Sequence, residues 1–472
     1  MRSPTNHLGD VIPVPSSVRP ASAVFFPLHL SGTAVSPAPA APGVAEHLAS
    51  TLDLPLRAGG AIRLELDDSG EPEAYRLEIT AASVTLRAGS AAGLFWGVQT
   101  LVQLAAGADE LPGGVIEDRP RFAYRGAMLD LARHFFTPDE VKAHIDLLVQ
   151  FKINHLHLHL TDDQGWRLEI PGRPRLTEIG GGPGTGCDGA GPGFLTLAEY
   201  ADLVAYAADR FVTIVPEIDM PGHVNAALVA YPELTPDGQP VAPRTDGEVG
   251  YSSLTVGKEE TYAFVETVLG AVAELTPGPY LHIGGDECLS TDPADYRAFL
   301  DRVLPLPAKY GKRVIGWNEI TAVDLPETAI VQYWRRRDEG DHVARTLAAG
   351  RQVIMSPADR AYLDMKYDAS TPIGLDWAGL IPVERSYDWD PADVLPEESV
   401  LGVEAPLWSE TLRSVADVQY LTLPRLPALA EIAWSPRGAR DWPSFRDRLA
   451  ALGSRWDAAG IGYHRSPEID WR

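Results

Sequence analysis

Cysteine is nearly absent: Cys187 and Cys288 are the only two in 472 residues. That excludes a disulfide framework, and nothing in their surroundings says that the two meet. Long apolar runs are missing too, so no transmembrane helix is expected. The first residues, MRSPTNHLGDVIPVPSSV, hold no apolar core of the length a secretory signal needs. The expectation is a cytoplasmic protein, or a secreted one if a leader preceded this sequence. Basic residues are outnumbered, 40 Lys and Arg against 65 Asp and Glu, for a net charge of −25. Nucleic acid and anionic membrane surfaces repel a polyanion, so neither is an expected partner.

What remains is an ordinary globular composition, 45% hydrophobic and 22% charged, in a chain longer than one core usually supports. Two domains are expected, with a boundary near residue 120 in the turn-rich, charged EDRPRFAYRG. Before it, AIRLELD, AYRLEIT and SVTLRA alternate apolar and polar residues as half-buried strands do. SAAGLFWGVQTLVQLA then has helical period, with Ser90 as N-cap. Residues 1–120 thus read as a small α+β domain, with the Ala/Pro-rich stretch around 33–43 as a surface loop.

After 120 strands alternate with helices, the pattern of a parallel sheet. Eight strand segments follow: RGAMLDLA, NHLHLHL, RFVTIVPEI, YLHIGG, KRVIGW, AIVQYW, RQVIMS and VLGVEAP. Two intervening helices announce themselves at Thr137-Pro138-Asp139-Glu140 and in the capping box Thr196 to Glu199. Eight strands over about 350 residues (121–472) predict a (β/α)₈ barrel with long loops. A doubly wound open sheet is the runner-up, weakened by the lack of a phosphate-binding glycine fingerprint.

Barrels carry their chemistry at the C-terminal ends of the strands. Those ends supply Arg133, Asp162, Asp163, His223, Asp286, Glu287, Trp317, Trp334, Tyr362, Asp364, Trp408 and Glu410. Tryptophan faces suit the C–H face of a pyranose, and acids with arginine suit its hydroxyls. Each Trp taken singly is equally well barrel core; together with the acids they point to a sugar. HIGGDEC at 282–288 sets Asp286 beside Glu287, and neighbouring carboxylates resist double ionisation. His155, His157 and His159 share one face of a strand. They read either as a metal site or as a hydrogen-bonded barrel layer, the second being favoured because one strand's histidines do not converge easily on one ion. His223, in PEIDMPGH, is open to three readings: metal ligand, core histidine, or partner that tunes a catalytic acid.

In order along the chain, LDLARHF, HLHLTDDQGWRLEI, VPEIDMPGH, HIGGDE, GWNEI, QYW, AYLDMKY and PLWSE resemble glycoside hydrolase family 20, the β-N-acetylhexosaminidases. The likeness spans about 128–411, and the N-terminal unit is similar to the small domain that precedes the barrel in that family. The resemblance implies removal of terminal β-linked N-acetylhexosamine from oligosaccharides, with the substrate's own acetamide as nucleophile and an oxazolinium intermediate. It implies that Glu287 protonates the leaving oxygen and then activates water. Asp286 would take the acetamide N–H, and Tyr362 would donate to its oxygen. Trp317, Trp334 and Trp408 would wall the pocket, while Arg133, Asp364 and Glu410 would hold the outer hydroxyls. Asp163 and His223 would relay towards Glu287. No metal or organic cofactor is implied. The rival readings are a two-carboxylate retaining glycosidase with Glu410 as nucleophile, a non-catalytic carbohydrate-binding barrel, and a metal-dependent hydrolase.

Overall fold

A computed structural model describes residues 7–30, 32–68, 70–335 and 341–471. Its first part is a five-stranded sheet in the order β1-β5-β3-β4-β2. The strands are β1 (Ser17–Pro27), β2 (Ile62–Leu66), β3 (Tyr75–Ile79), β4 (Val84–Ala88) and β5 (Glu110–Asp118). Alternation explains the strands that were read: in β3, Tyr75, Leu77 and Ile79 are buried while Arg76 and Glu78 are not. Helix α1 (Pro42–Thr51) and helix α2 (Ala91–Ala105) are also part of this unit. Ser90 caps α2 as expected, accepting from Gly93 N at 3.1 Å. Gly97 lets α2 sit hard against the sheet, since a Cβ there would lie 2.4 Å from Leu86 Cδ1.

Two expectations for this unit are corrected. The sheet starts at residue 17, not 61: β1 and β5 pair antiparallel, with a register shift between Pro20 and Phe25. The stretch around 33–43 is irregular but not superficial. Ala34, Val35, Ala38 and Ala41 are buried, and Val35 forms bridges to Leu56 and Ile62. Small apolar side chains let an irregular segment pack where larger ones could not.

The second part is a closed barrel of eight parallel strands, β10-β11-β12-β13-β6-β7-β8-β9 in order. They are β6 (Tyr124–Asp130), β7 (His155–His159), β8 (Thr213–Glu217), β9 (Tyr280–His282), β10 (Arg313–Trp317), β11 (Ile330–Tyr333), β12 (Gln352–Met355) and β13 (Val400–Ala405). Seven fall within the segments read as strands, and β6 begins one residue before its segment, at Tyr124. Both expected helix starts are capping boxes: Thr137 with Glu140 opens helix α3 (Pro138–Val149), and Thr196 with Glu199 opens the helix Leu197–Ala208. The barrel interior is layered, as side chains alternating along each strand require. Tyr124, Val215, Ile315, Ile330 and Ile354 form an apolar floor. Above it lies a polar layer that includes His157, Glu217, Gln332 and Glu404, all fully buried.

The two parts meet at the opposite end from the chemistry, where β6 and β7 begin. Arg125 pairs with Glu73 at 2.6 Å. Buried Lys152 bonds Asp118 at 3.0 Å and Tyr75 OH at 2.9 Å, and Trp434 Nε1 donates to Asp118 at 2.9 Å. No helix among the described residues is long and apolar enough to cross a membrane.

Candidate active site

After β9 the chain turns sharply through Gly284 (φ 65°) and Gly285 (φ 99°). Only glycine adopts such angles without strain, and the space is closed as well: a Cβ on Gly284 would lie 1.8 Å from Asp219 Oδ1. That same oxygen accepts from Gly285 N at 2.9 Å, Gly284 O accepts from Trp317 N at 2.9 Å, and Tyr296 OH donates to Gly285 O at 2.6 Å. Thus pinned, the turn delivers Asp286 and Glu287 side by side. Glu287 itself has φ 44°, a strained angle for a side-chain-bearing residue and one that functional sites tolerate.

His223 Nε2 lies 3.9 Å from both Asp286 Oδ2 and Glu287 Oε2. Its Nδ1 meets Asp162 Oδ1 at 3.1 Å. The expected partner, Asp163, has no hydrogen bond to His223: its Oδ1 accepts from Asn225 N at 2.9 Å and from Ser252 OH. The carboxylate behind His223 is therefore Asp162, not Asp163. Asp162 lies three residues beyond the end of β7, and its Oδ2 also holds Arg133 at 2.8 Å and His159 at 2.7 Å.

Trp317, Trp334, Tyr362 and Trp408 come together in one aromatic cluster. Trp317 and Trp408 have ring centroids 5.9 Å apart, and Trp334 stacks with Tyr362 at 6.4 Å. Trp377, which the sequence did not single out, stands edge-on to Trp334 at 6.0 Å and to Tyr362 at 5.8 Å. It is 46% exposed, so it forms the open rim of this wall. Glu319 was also passed over. It accepts from Trp334 Nε1 at 3.0 Å and pairs with Arg335, whose guanidinium lies 4.1 Å over the Trp334 ring.

Arg133 sits 5.0 Å over Trp408, and Gln164 holds its Nε at 3.0 Å. Two loops of uninformative sequence close around it. Cys187 N donates to Arg133 O at 2.7 Å, and Gln164 Nε2 donates to Asp246 O at 2.8 Å. Asp364 and Glu410 interact electrostatically with each other, and Glu410 also with Arg133. Both oxygens of Asp364, Oε2 of Glu410 and Oδ1 of Asp286 are buried without a hydrogen-bond partner. Such atoms are costly, and these gather around Tyr362 and Arg133, with which Asp286, Asp364 and Glu410 interact electrostatically.

Electrostatics separate the groups. Burial raises Asp286 to about 7, Glu287 and Glu319 reinforcing the effect and His223 opposing it. Burial also raises Glu287, against the pull of His223. Both carboxyls are thus pushed the same way. Burial opposes charge on His223, yet Asp162, Asp219 and Asp286 hold it well above the ordinary histidine value.

Several groups bring metal-ligand atoms within 4.8 Å of one another, among them His157, Glu217 and His282, and Asp219, His223 and Asp286. In the first group His157 Nε2 bonds Glu217 Oε2 at 3.0 Å, and His282 Nδ1 accepts from Gly284 N at 3.0 Å. His155 stacks on Tyr124 at 4.0 Å. The histidines of β7 therefore form barrel layers.

Two family models match this chain. The catalytic domain of glycosyl hydrolase family 20 matches residues 122–297 and 289–437, and domain 2 of the same family matches 9–119. A β-N-acetylhexosaminidase from Cellulomonas fimi is 45% identical over 423 residues, 87% of this chain and 84% of the relative. Among solved structures, the family 20 β-N-acetylhexosaminidase of Streptomyces coelicolor A3(2) superposes with TM-score 0.95 at 47% identity, covering 98% of this chain and 99% of that one. A mutant Streptomyces plicatus β-hexosaminidase in complex with product (GlcNAc) gives TM-score 0.94 at 48% identity, over 99% and 98% of the two chains. A barrel whose strand-end acids, histidine and tryptophans converge on one pocket, matched by both domains of one family over most of its length, leaves one conclusion: the chain belongs to glycosyl hydrolase family 20.

Proposed function

We propose that this β-N-acetylhexosaminidase removes single terminal β-linked N-acetylhexosamine residues from oligosaccharides, with the substrate acetamide as nucleophile. Asp286 accepts the acetamide N–H and so aims the acetamide oxygen at the anomeric carbon, while Tyr362 donates to that oxygen. The indoles of Trp317, Trp334 and Trp408 enclose the acetyl methyl group. Glu287 protonates the departing glycosidic oxygen. As that C–O bond breaks, the acetamide oxygen bonds to the anomeric carbon, and the positive charge of the oxazolinium develops beside Asp286. Glu287, now a carboxylate, takes a proton from water, which opens the ring with net retention. Asp162 and His223 act behind both acids: an imidazolium 3.9 Å from each lets one ionise while the other keeps its proton. Arg133, Asp364 and Glu410 hold the outer hydroxyls.

The observation that carries this reading is Asp286 Oδ1, an acceptor buried beside the aromatic cluster with no donor of its own. An acetamide N–H is the group that would complete it. A crystal soak with N-acetylglucosamine thiazoline tests the assignment. The ring nitrogen is expected about 3 Å from Asp286, with the methyl group against the tryptophans. A ligand whose acyl group faces solvent, with Glu410 beneath the anomeric carbon, would overturn it.

A further inference from the structure

The alternating histidines of β7 and the glutamate that ends β8 are motif residues to which the reaction above gives no part. Glu217 is fully buried. Its Oε1 accepts from Trp317 Nε1 at 2.9 Å. Its Oε2 accepts from His157 Nε2 at 3.0 Å and from His159 Nδ1. His159 then donates through Nε2 to Asp162 Oδ2 at 2.7 Å. Each oxygen of this carboxylate therefore faces a different part of the machinery: the acetamide-pocket wall on one side, the acid's relay on the other.

We infer that Glu217 is a positioning residue for the hydrolytic reaction, one buried carboxylate that fixes the pocket wall through Trp317 and the relay through His159 and Asp162. The inference rests on the roles given above to Trp317, His223 and Glu287. Its chemistry is that of acceptor count. A carboxylate accepts at both oxygens, whereas an amide of the same shape accepts at one atom and donates at the other. A glutamine at 217 could accept from Trp317 only by turning its NH2 towards His159, which would then have to give up the Nδ1 proton and with it the ring's charge. His159 bonds a carboxylate through each nitrogen, so both must carry hydrogen, and the ring is an imidazolium that keeps Asp162 an acceptor. Burial opposes charge on Glu217, yet His159, His282 and His157 hold its carboxyl well below the usual range.

Glu404 supplies the control. It belongs to the same polar layer, but its partners are His157 at 2.9 Å, Gln332 at 2.6 Å and Tyr124, and it touches neither Trp317 nor His159. In purified, folded protein, Glu217→Gln is expected to lower kcat roughly 10- to 100-fold, the usual cost of losing an outer partner that orients a functional group, with KM nearly unchanged. Glu404→Gln should lower the melting temperature and leave kcat close to wild type. Two further variants cut one side each. His159→Gln should slow substrates with poor leaving groups more than activated aryl glycosides, because only the relay is severed. Trp317→Phe should slow both alike. A folded Glu217→Gln enzyme with wild-type kcat overturns the inference, as does an equal loss of kcat in Glu404→Gln. If Glu217→Gln does not fold, the single-side variants decide: equal slowing of both substrate classes by His159→Gln, or wild-type kcat in Trp317→Phe, overturns it. Glu287→Gln assayed alongside separates the two readings. An active Glu287→Gln enzyme would refute the proposed reaction, whereas an inactive one beside an unimpaired Glu217→Gln refutes only the role of Glu217.

Discussion

Glu217 and Glu404 in the barrel interior, and Asp286 and Asp364 in the pocket above them, are all buried carboxylates. Their surroundings treat them in opposite ways. Burial opposes charge on both interior acids, yet His157 holds Glu404, and three histidines hold Glu217, below the ordinary carboxylate range. Burial raises both pocket acids, and neighbouring acids raise them further, Glu287 for Asp286 and Glu410 for Asp364. The interior acids have their oxygens bonded to imidazole, indole, phenol or amide donors. Asp286 keeps one oxygen unpartnered and Asp364 both. A buried acceptor left without a donor costs about 1–3 kcal/mol. Where the fold supplies donors the charge is architecture; where it withholds them, the proposed reaction has the substrate supply them.

The comparison breaks most visibly at Glu287, the proton donor of the proposed reaction. Glu287→Gln is expected to lose roughly 10²–10⁴-fold in rate. Steady-state assays should find the loss greater for natural linkages than for aryl glycosides whose leaving group needs little protonation. Equal losses would remove Glu287 from the acid's role. Next comes Arg133, to which the proposed reaction gives the sugar's outer hydroxyls. Arg133→Ala should lower kcat/KM by up to about 10²-fold, since a small misplacement of the ring is enough to do so. Chromatography of chito-oligomer digests should show single N-acetylglucosamine units from the first time point, and early dimers would contradict a closed, exo-acting pocket.

A smaller effect sharpens the contrast in stability. Asp286 has its folded-state value raised to about 7, well above an unfolded aspartate, so its ionised form is disfavoured by folding. The native state therefore bears the burial penalty above that value. The penalty fades as pH falls, and it is gone below about pH 4, where the carboxyl is neutral in both states. Asp286→Asn, always neutral, should melt higher than wild type in mildly alkaline buffer, by roughly 2 °C for each kcal/mol recovered, and equally with it in acid. A lower melting temperature throughout would show that Asp286 is bonded as the interior acids are. Smallest of all, exhaustive dialysis against EDTA should leave the rate unchanged. Activity that vanished and returned with zinc would give the histidines of β7 and β9 a part that their mutual bonds deny.

The barrel was legible because buried parallel strands read as short apolar runs between turn residues, and because polar and aromatic residues lie at or just beyond their C-terminal ends. Strands β1 and β5 were not, since Pro20, Pro112, Gly113 and Gly114 are turn signals by composition. An edge strand tolerates proline, and the closing pair absorbs it in a register shift. The choice between Asp162 and Asp163 was beyond sequence reasoning: the two acids are adjacent, and only the partners, His223 for one and Ser252 for the other, tell them apart. Trp377 carried a weak signal, a lone tryptophan in the turn-rich GLDWAGL, but no strand end to attach it to. Residues 186–190 and 245–247 hold the neighbourhood of Arg133 mainly through backbone groups, which no side-chain pattern reports.

The most direct test of the account asks what attacks the anomeric carbon. If the substrate acetamide does, its oxygen must be electron-rich, and fluorine in the acyl group withdraws that density. Initial rates should then fall stepwise from acetyl to monofluoro-, difluoro- and trifluoroacetyl glycosides, and Asp286→Asn should flatten the upper end of the series by removing the anion that supports the developing charge. Rates independent of fluorine in the wild-type enzyme would contradict the account and transfer the nucleophile's role to a protein carboxylate such as Glu410.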